Sequence, residues 1–178
     1  MALRKIRLEE DEILRKKSKT VKAIDENIHM LLDDMTETMM AANGIGIAAV
    51  QIGVLKRIVL VDVGGGEEGE RNIKELINPE IIETGGEQEV REGCLSLPGR
   101  SGIVERPSYI KLKALNRDGE EVIYEESDGK AVPFFHELDH LDGILYIDKL
   151  VADLDEEEDD DFDEDLYENY EDYEDDID

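Results

Sequence analysis

Tyr109-Ile110-Lys111-Leu112-Lys113-Ala114-Leu115 sets Ile110, Leu112 and Ala114 against Lys111 and Lys113 in alternation, and Asn116-Arg117-Asp118-Gly119 then turns the chain into Glu121 to Tyr124. Successive side chains of a strand point to opposite faces, so this pattern buries one face and wets the other. Two such runs joined by a turn rich in Asn, Asp and Gly predict an antiparallel hairpin. Upstream, Arg57-Ile58-Val59-Leu60-Val61-Asp62-Val63 is a β-rich run, Gly64-Gly65-Gly66 a flexible turn, and Leu76-Ile77 leads through Pro79 into Glu80-Ile81-Ile82 as further extended chain. Helical spacing occurs in two places. Ile28, Leu31, Leu32, Met35 and Met39 form one amphipathic stripe, with Asp25 as cap and Asn43-Gly44 as stop. His29 lies one position off that stripe and reads as a surface or boundary residue. A second helix carries His136 and His140, and Ile144 to Leu150 closes the ordered part. Strands plus two helices, without repeats, predict an α+β domain: antiparallel β-strands packed around a central metal-binding helix, with an N-terminal amphipathic helix, rather than a βαβ series.

Composition frames this domain. A chain of 178 residues with 40% hydrophobic residues buries one core and requires no second domain. The single cysteine, Cys94, excludes an intramolecular disulfide and fits a reducing compartment. No apolar run approaches the roughly 18 residues of a membrane span, so a cytoplasmic protein is expected. The net charge of −28 is unevenly spread: 152–178 holds 18 acidic residues and no Lys or Arg, leaving −10 for the rest. A self-repelling block such as Asp155 to Asp161 has little to bury, which predicts a folded unit over 1–151 followed by an acidic, disordered tail over 152–178. Tyr167, Tyr170 and Tyr173 recur every third residue in that tail, but a charge run reads first as a solvated segment, and its partner is unknown. Direct nucleic-acid binding is not expected, because phosphate contacts need clustered positive charge.

The chemistry concentrates in His136-Glu137-Leu138-Asp139-His140. Positions four apart share one face of a helix, so both imidazoles reach one metal ion while Glu137 projects beside them. A hydrolytic metal site needs three protein ligands, an open position for water and a carboxylate to handle that water's proton. The helix supplies two ligands and the base. The third comes from a downstream acid or histidine, as in zinc proteases, or from Cys94. No histidine follows His140 and the later acids fall mostly in the tail, which favours Cys94. Around it, Gly93 permits close backbone approach and Pro98 stiffens the exit.

Three separated segments, in this order, resemble those of the peptide deformylases: Gly44-Ile45-Gly46-Ile47-Ala48-Ala49-Val50-Gln51, Glu92-Gly93-Cys94-Leu95-Ser96-Leu97-Pro98, and His136-Glu137-Leu138-Asp139-His140-Leu141-Asp142-Gly143. The resemblance spans roughly residues 1 to 150. It implies hydrolytic removal of the formyl group from the initiator methionine of new polypeptides, at the ribosome, by one divalent metal, Fe(II) first, with Zn(II), Ni(II) or Co(II) as alternatives. It implies Cys94, His136 and His140 as ligands, Glu137 as proton shuttle, and the Gln51 side-chain amide with the Leu95 backbone N–H as oxyanion donors. Gly44, Ile45 and Gly46 are then substrate-binding, the missing side chains of the two glycines letting substrate backbone pass. The methionine pocket is expected around Phe135 to Leu138 and Ile45.

Some residues depart from the family's pattern. Phe135 stands where Gln or Cys usually precedes the first histidine, and Ala131-Val132-Pro133 replaces a stretch that often carries Arg. Val50 stands where Pro is common. Pro133 suits a first helical turn, so the metal-binding helix is expected to start three residues before His136. Glu92, deprived of that Arg, is expected either to lose a partner or to find Arg106 instead. Two rivals follow from these features: a zinc peptidase, which would share the helix but not need Cys94 or Gln51, and a weak or inactive deformylase relative that binds partners through the acidic tail.

Overall fold

The apolar run before the glycines is a strand buried on both faces, with one helix on each side of it. The computed structural model describes residues 2–65 and 70–154. Its strands are β1 (Gly46–Ala48), β2 (Ile58–Asp62), β3 (Ile73–Gly85), β4 (Gln88–Cys94), β5 (Leu97–Arg106), β6 (Tyr109–Leu115), β7 (Glu121–Ser127) and β8 (Leu150–Leu154), and its α-helices are α1 (Glu26–Ala41) and α2 (Val132–Leu141). Among the described residues the strands form two antiparallel sheets, in the orders β1-β2-β3-β6-β7 and β4-β5-β8. The mixed, antiparallel class read from the alternation is the one observed.

Side-chain alternation along β2 divides the interior. Ile58 and Leu60 join Leu31, Leu32, Met35 and Met39 of α1 in one cluster, while Val59 and Val61 join Phe134, Phe135, Leu138 and Leu141 of α2 in another. Leu97 and Val104 of the second sheet close the α2 cluster, so that helix is packed by both sheets. Burying its apolar side chains contributes about 1.5–3 kcal/mol each before entropy is counted. Their substitution therefore loosens the helix that carries the histidines.

The local signals act where the sequence put them. The Asp25 side chain accepts from Ile28 N at 3.1 Å to cap α1, and Asn43 takes a positive φ of 52° just past the helix end. Asn116 Oδ1 accepts from the Asp118 and Glu120 amides at 3.0 and 2.9 Å, closing the β6–β7 hairpin. Gly64 and Gly65 both have positive φ, and Gly66 lies outside the described residues. Helix α2 starts at Val132, four residues before His136, with Pro133 in its first turn.

Strands β4 and β5 carry no clean alternation in sequence, because Glu92 and Arg106 occupy buried positions that a binary pattern assigns to apolar residues. Strand β8 pairs with β5 from Val104↔Leu150 to Ser101↔Leu154, and so runs three residues past the boundary at Val151. Most of the acidic segment, including Asp155 to Asp161 and the three tail tyrosines, lies outside the described residues. Among the described residues no helix is long and apolar enough to cross a membrane.

Candidate active site

Helix α2 faces the strand ends with its His136, Glu137 and His140 side, all three residues buried. Cys94 arrives from the end of β4, where the β4–β5 register shifts between Gly93 and Cys94 as the chain turns. The turn brings Cys94 Sγ to 3.3 Å from His140 Nε2, and one donor atom each from Cys94, His136 and His140 lies within 4.8 Å of the others. Sulfur and imidazole nitrogen are donors that suit a divalent transition metal. Neither ring is swivelled away by competing partners. His136 Nδ1 is held by Glu92 Oε2 at 2.8 Å, which leaves its other nitrogen for the cluster, and burial pushes the His140 ring well below its ordinary value, toward the neutral form a ligand needs. These residues fit a metal.

Glu92 is itself anchored. Arg106 donates through Nε to Glu92 Oε1 at 2.6 Å and through Nη2 to Oε2 at 2.9 Å, and through Nη1 to Asp139 at 2.5 Å. Lys149 Nζ adds a bond to Asp139 at 3.0 Å. Burial alone would raise the Glu92 carboxyl, but the hydrogen bonds from Arg106 and His136 outweigh it and hold it down at about 2. Of the two expectations for Glu92, a lost partner or Arg106 in place of the Arg missing at Val132, the structure shows the second. The further link from Arg106 to Asp139 was missed, since a pairing between residues so distant in sequence leaves no local signal.

Glu137 has the opposite environment. Burial pushes its carboxyl up to about 7, against the nearby His136 charge and with the Glu92 charge adding to the rise. Its Oε2 is buried without a hydrogen-bond partner among the described residues. Gly46 lies against it: a Cβ there would fall 2.8 Å from Glu137 Cδ and closer still to Oε1. A carboxyl poised near neutrality is suited to take and return a proton.

A cavity of about 440 Å³ opens onto these groups, lined by Gly44, Ile45, Gly46, Gln51, Cys94, Leu95, His136 and Glu137, with Val132 and Pro133 on the helix side. The Gly44 backbone comes so near Leu95 that a Cβ there would lie 2.8 Å from its Cδ1. Phe135 and Leu138, expected in this pocket, instead point into the apolar core, because they lie on the opposite side of α2 from Glu137 and His140. Gln51 Nε2 lies 3.5 Å from Cys94 Sγ and 3.2 Å from Ser96 Oγ. The contact between Ser96 and Gln51 was not read from the sequence, where Ser96 stands as one more residue of the Cys94 segment.

Residues 3–156 match the family described as Polypeptide deformylase. The peptide deformylase of Acetivibrio thermocellus is 56% identical over 158 residues, covering 89% of this chain and 89% of that one. Among solved structures, the peptide deformylase of Thermotoga maritima superposes with a TM-score of 0.79 at 39% identity, over 84% of this chain and 99% of that one. A class I type b peptide deformylase from Acinetobacter baumannii, solved with Met-Ala-Ser bound, gives a TM-score of 0.78 at 32% identity, over 84% of this chain and 99% of that one. A Cys–His–His cluster with both imidazoles buried, beside a carboxyl held near neutrality and in a fold shared with these enzymes, leaves one assignment: the chain belongs to the peptide deformylase family.

Proposed function

We propose that this enzyme hydrolyses the formyl group from the N-terminal methionine of newly made polypeptides, releasing formate. The observation that carries the proposal is the meeting of Cys94, His136 and His140 within 4.8 Å at a cavity also lined by Glu137 and Gln51. Cys94, His136 and His140 would hold one divalent metal, Fe(II) first and Zn(II), Ni(II) or Co(II) as alternatives that the same donors accept. Such an ion supplies Lewis-acid polarisation and a more acidic water.

The remaining steps belong to the chain. Glu137 takes the proton of the attacking water and later delivers a proton to the departing methionine amine, a shuttle worth roughly 10²–10⁴-fold. Gln51 Nε2 and the Leu95 backbone N–H donate to the oxygen of the formyl group as it gains charge, each donor contributing about 3–4 kcal/mol to lowering the barrier. Gly44 and Gly46 let extended substrate pass, and Ile45, Val132 and Pro133 offer apolar surface to the methionine side chain. Glu92 fixes the ring of His136 through Nδ1.

Cys94 at the cluster argues against a zinc peptidase, and Phe135 in the core together with the Glu92–Arg106 pair, which still anchors Glu92, argues against a disabled relative. The substrate is made in the cytoplasm by the ribosome, where we place the enzyme; no direct contact with nucleic acid or membrane is invoked. The catalytic unit is assigned to the chain up to β8, and no role in the reaction is assigned to the acidic segment beyond it.

The test is formate release from a formyl-Met peptide by protein loaded anaerobically with ferrous iron. Turnover of that peptide, with acetylated and unblocked peptides left intact, is expected. No formate above a metal-stripped control overturns the proposal, and cleavage of an internal peptide bond would make the protein a peptidase.

A further inference from the structure

Gln51 and Ser96 come from separate segments, the 3-10 turn Ala49–Ile52 after β1 and the turn between β4 and β5, yet both are 1% exposed and their side chains meet. Gln51 Oε1 accepts the Ala48 backbone N–H at 2.8 Å. A backbone amide only donates, so this contact decides which end of the side chain is oxygen and which is nitrogen. Nε2 is thereby turned toward Ser96 Oγ at 3.2 Å and Cys94 Sγ at 3.5 Å. It carries two hydrogens. One is taken by the Ser96 hydroxyl, and the other points to the sulfur side, where the reacting carbonyl has to sit.

The backbones of these two residues are also tied to one strip of chain. Arg7 N donates to Gln51 O at 2.7 Å and Glu9 N donates to Ser96 O at 3.0 Å. Two amides two residues apart thus set the spacing between the Gln51 and Ser96 main chains, independently of the cluster itself.

We propose that Ser96 is a positioning residue for Gln51: its hydroxyl holds one Nε2 hydrogen so that the other is aimed at the formyl oxygen as charge develops there. The inference rests on the deformylase reading above. Without the hydroxyl, a buried N–H loses its acceptor, and the broad terminal torsion of glutamine lets the amide rotate toward another partner. Such rotation weakens an interaction made in the transition state, so it lowers kcat and leaves KM unchanged.

The test is a double-mutant cycle on the metal-loaded enzyme, with Ser96→Ala made in the native chain and in Gln51→Ala. In the native chain kcat should fall roughly tenfold, less than the 10²–10³-fold typical of deleting an oxyanion donor outright, with KM and metal content unchanged. In the Gln51→Ala background the same change should have less than a twofold effect, since no amide remains to be aimed. Equal losses in both backgrounds, or no loss in the native chain, would overturn the proposal. Native enzyme that releases no formate would instead sink the deformylase reading, and this inference with it. A second measurement needs no variant at Ser96: in the zinc form with nitrogen-labelled glutamine, the Gln51 side-chain signal, assigned by its disappearance in Gln51→Ala, should show one hydrogen exchanging slowly. Fast exchange of both hydrogens would overturn the proposal.

Discussion

Arg106 grips both oxygens of Glu92, at 2.6 and 2.9 Å, and the same Glu92 receives His136 Nδ1 at 2.8 Å. A charge on β5 thus orients the His136 ring on α2 through a carboxylate on β4. Removing one member of such a buried set leaves an uncompensated charge, which is usually more damaging than never having built the pair. Arg106→Ala should destabilise the fold by about 3–5 kcal/mol in urea denaturation. It should also weaken metal affinity by about 10–100-fold, read by competition with a chelator. Native stability and affinity in the variant would mean that Glu92 and His136 do not depend on Arg106.

Gly46 provides a steric test of the shuttle. A methyl there would crowd the Glu137 carboxyl, falling 2.8 Å from its Cδ. Gly46→Ala should lower kcat by about 100-fold, the lower end of what general acid–base catalysis contributes, with metal content retained. An unimpaired kcat would show that Glu137 has room to move without consequence.

Glu137 also leaves a signature in stability. Its folded-state value of about 7 lies above the ordinary 4.5, so the native protein binds the extra proton between these values. Its contribution to stability is therefore greater at low pH and declines as pH rises through about 4.5 to 7, by about 3 kcal/mol at 1.36 kcal/mol per unit. Glu137→Gln abolishes that decline. In metal-stripped protein, denaturation at pH 5 and pH 8 should show the variant gaining on the native chain by roughly this amount at the higher pH. Glu92, held down at about 2, contributes its full stabilisation across this window and does not obscure the comparison. A pH-independent difference between the two proteins would place the Glu137 carboxyl in solvent.

What could be read in advance follows the range of each signal. Helix α1 announced itself through Ile28, Leu31, Leu32, Met35 and Met39, and the β6–β7 hairpin through alternation and Asn116, because both signals are local. His136, Glu137 and His140 were legible for the same reason. Cys94 required the separate argument that a third ligand was missing, and the structure brings it to the cluster. Arg106 bonding Asp139, Ser96 bonding Gln51, and the inward turn of Phe135 depend on which strand lies beside which, and neither periodicity nor spacing encodes that.

The proposed ligation by Cys94 predicts the response to air. Iron bound through Cys94 Sγ exposes an oxidisable metal and an oxidisable sulfur to oxygen, whereas zinc and nickel lack the ready one-electron step. The ferrous form should lose activity in air well before the zinc or nickel form, followed by timed formate assays on each. Equal decay of the three forms would count against Cys94 as a ligand.

The end of β8 predicts two different outcomes for truncations three residues apart. Ending the chain after Leu154 keeps every β5–β8 pair, including Ser101↔Leu154 and Ile103↔Ala152, and removes only the acidic remainder. Turnover of small peptides by that variant should stay within a few-fold of the full chain. Ending it after Val151 removes the pairs at Ser101, Gly102 and Ile103 and bares that stretch of β5, the strand that also carries Arg106. Each lost ladder bond contributes about 0.5–1.5 kcal/mol, so the shorter variant should unfold at lower urea while retaining the site chemistry when folded. Identical urea midpoints for the two truncations would show that Ala152 to Leu154 add nothing to the sheet, and a large loss of turnover after Leu154 would bring the acidic segment into the site.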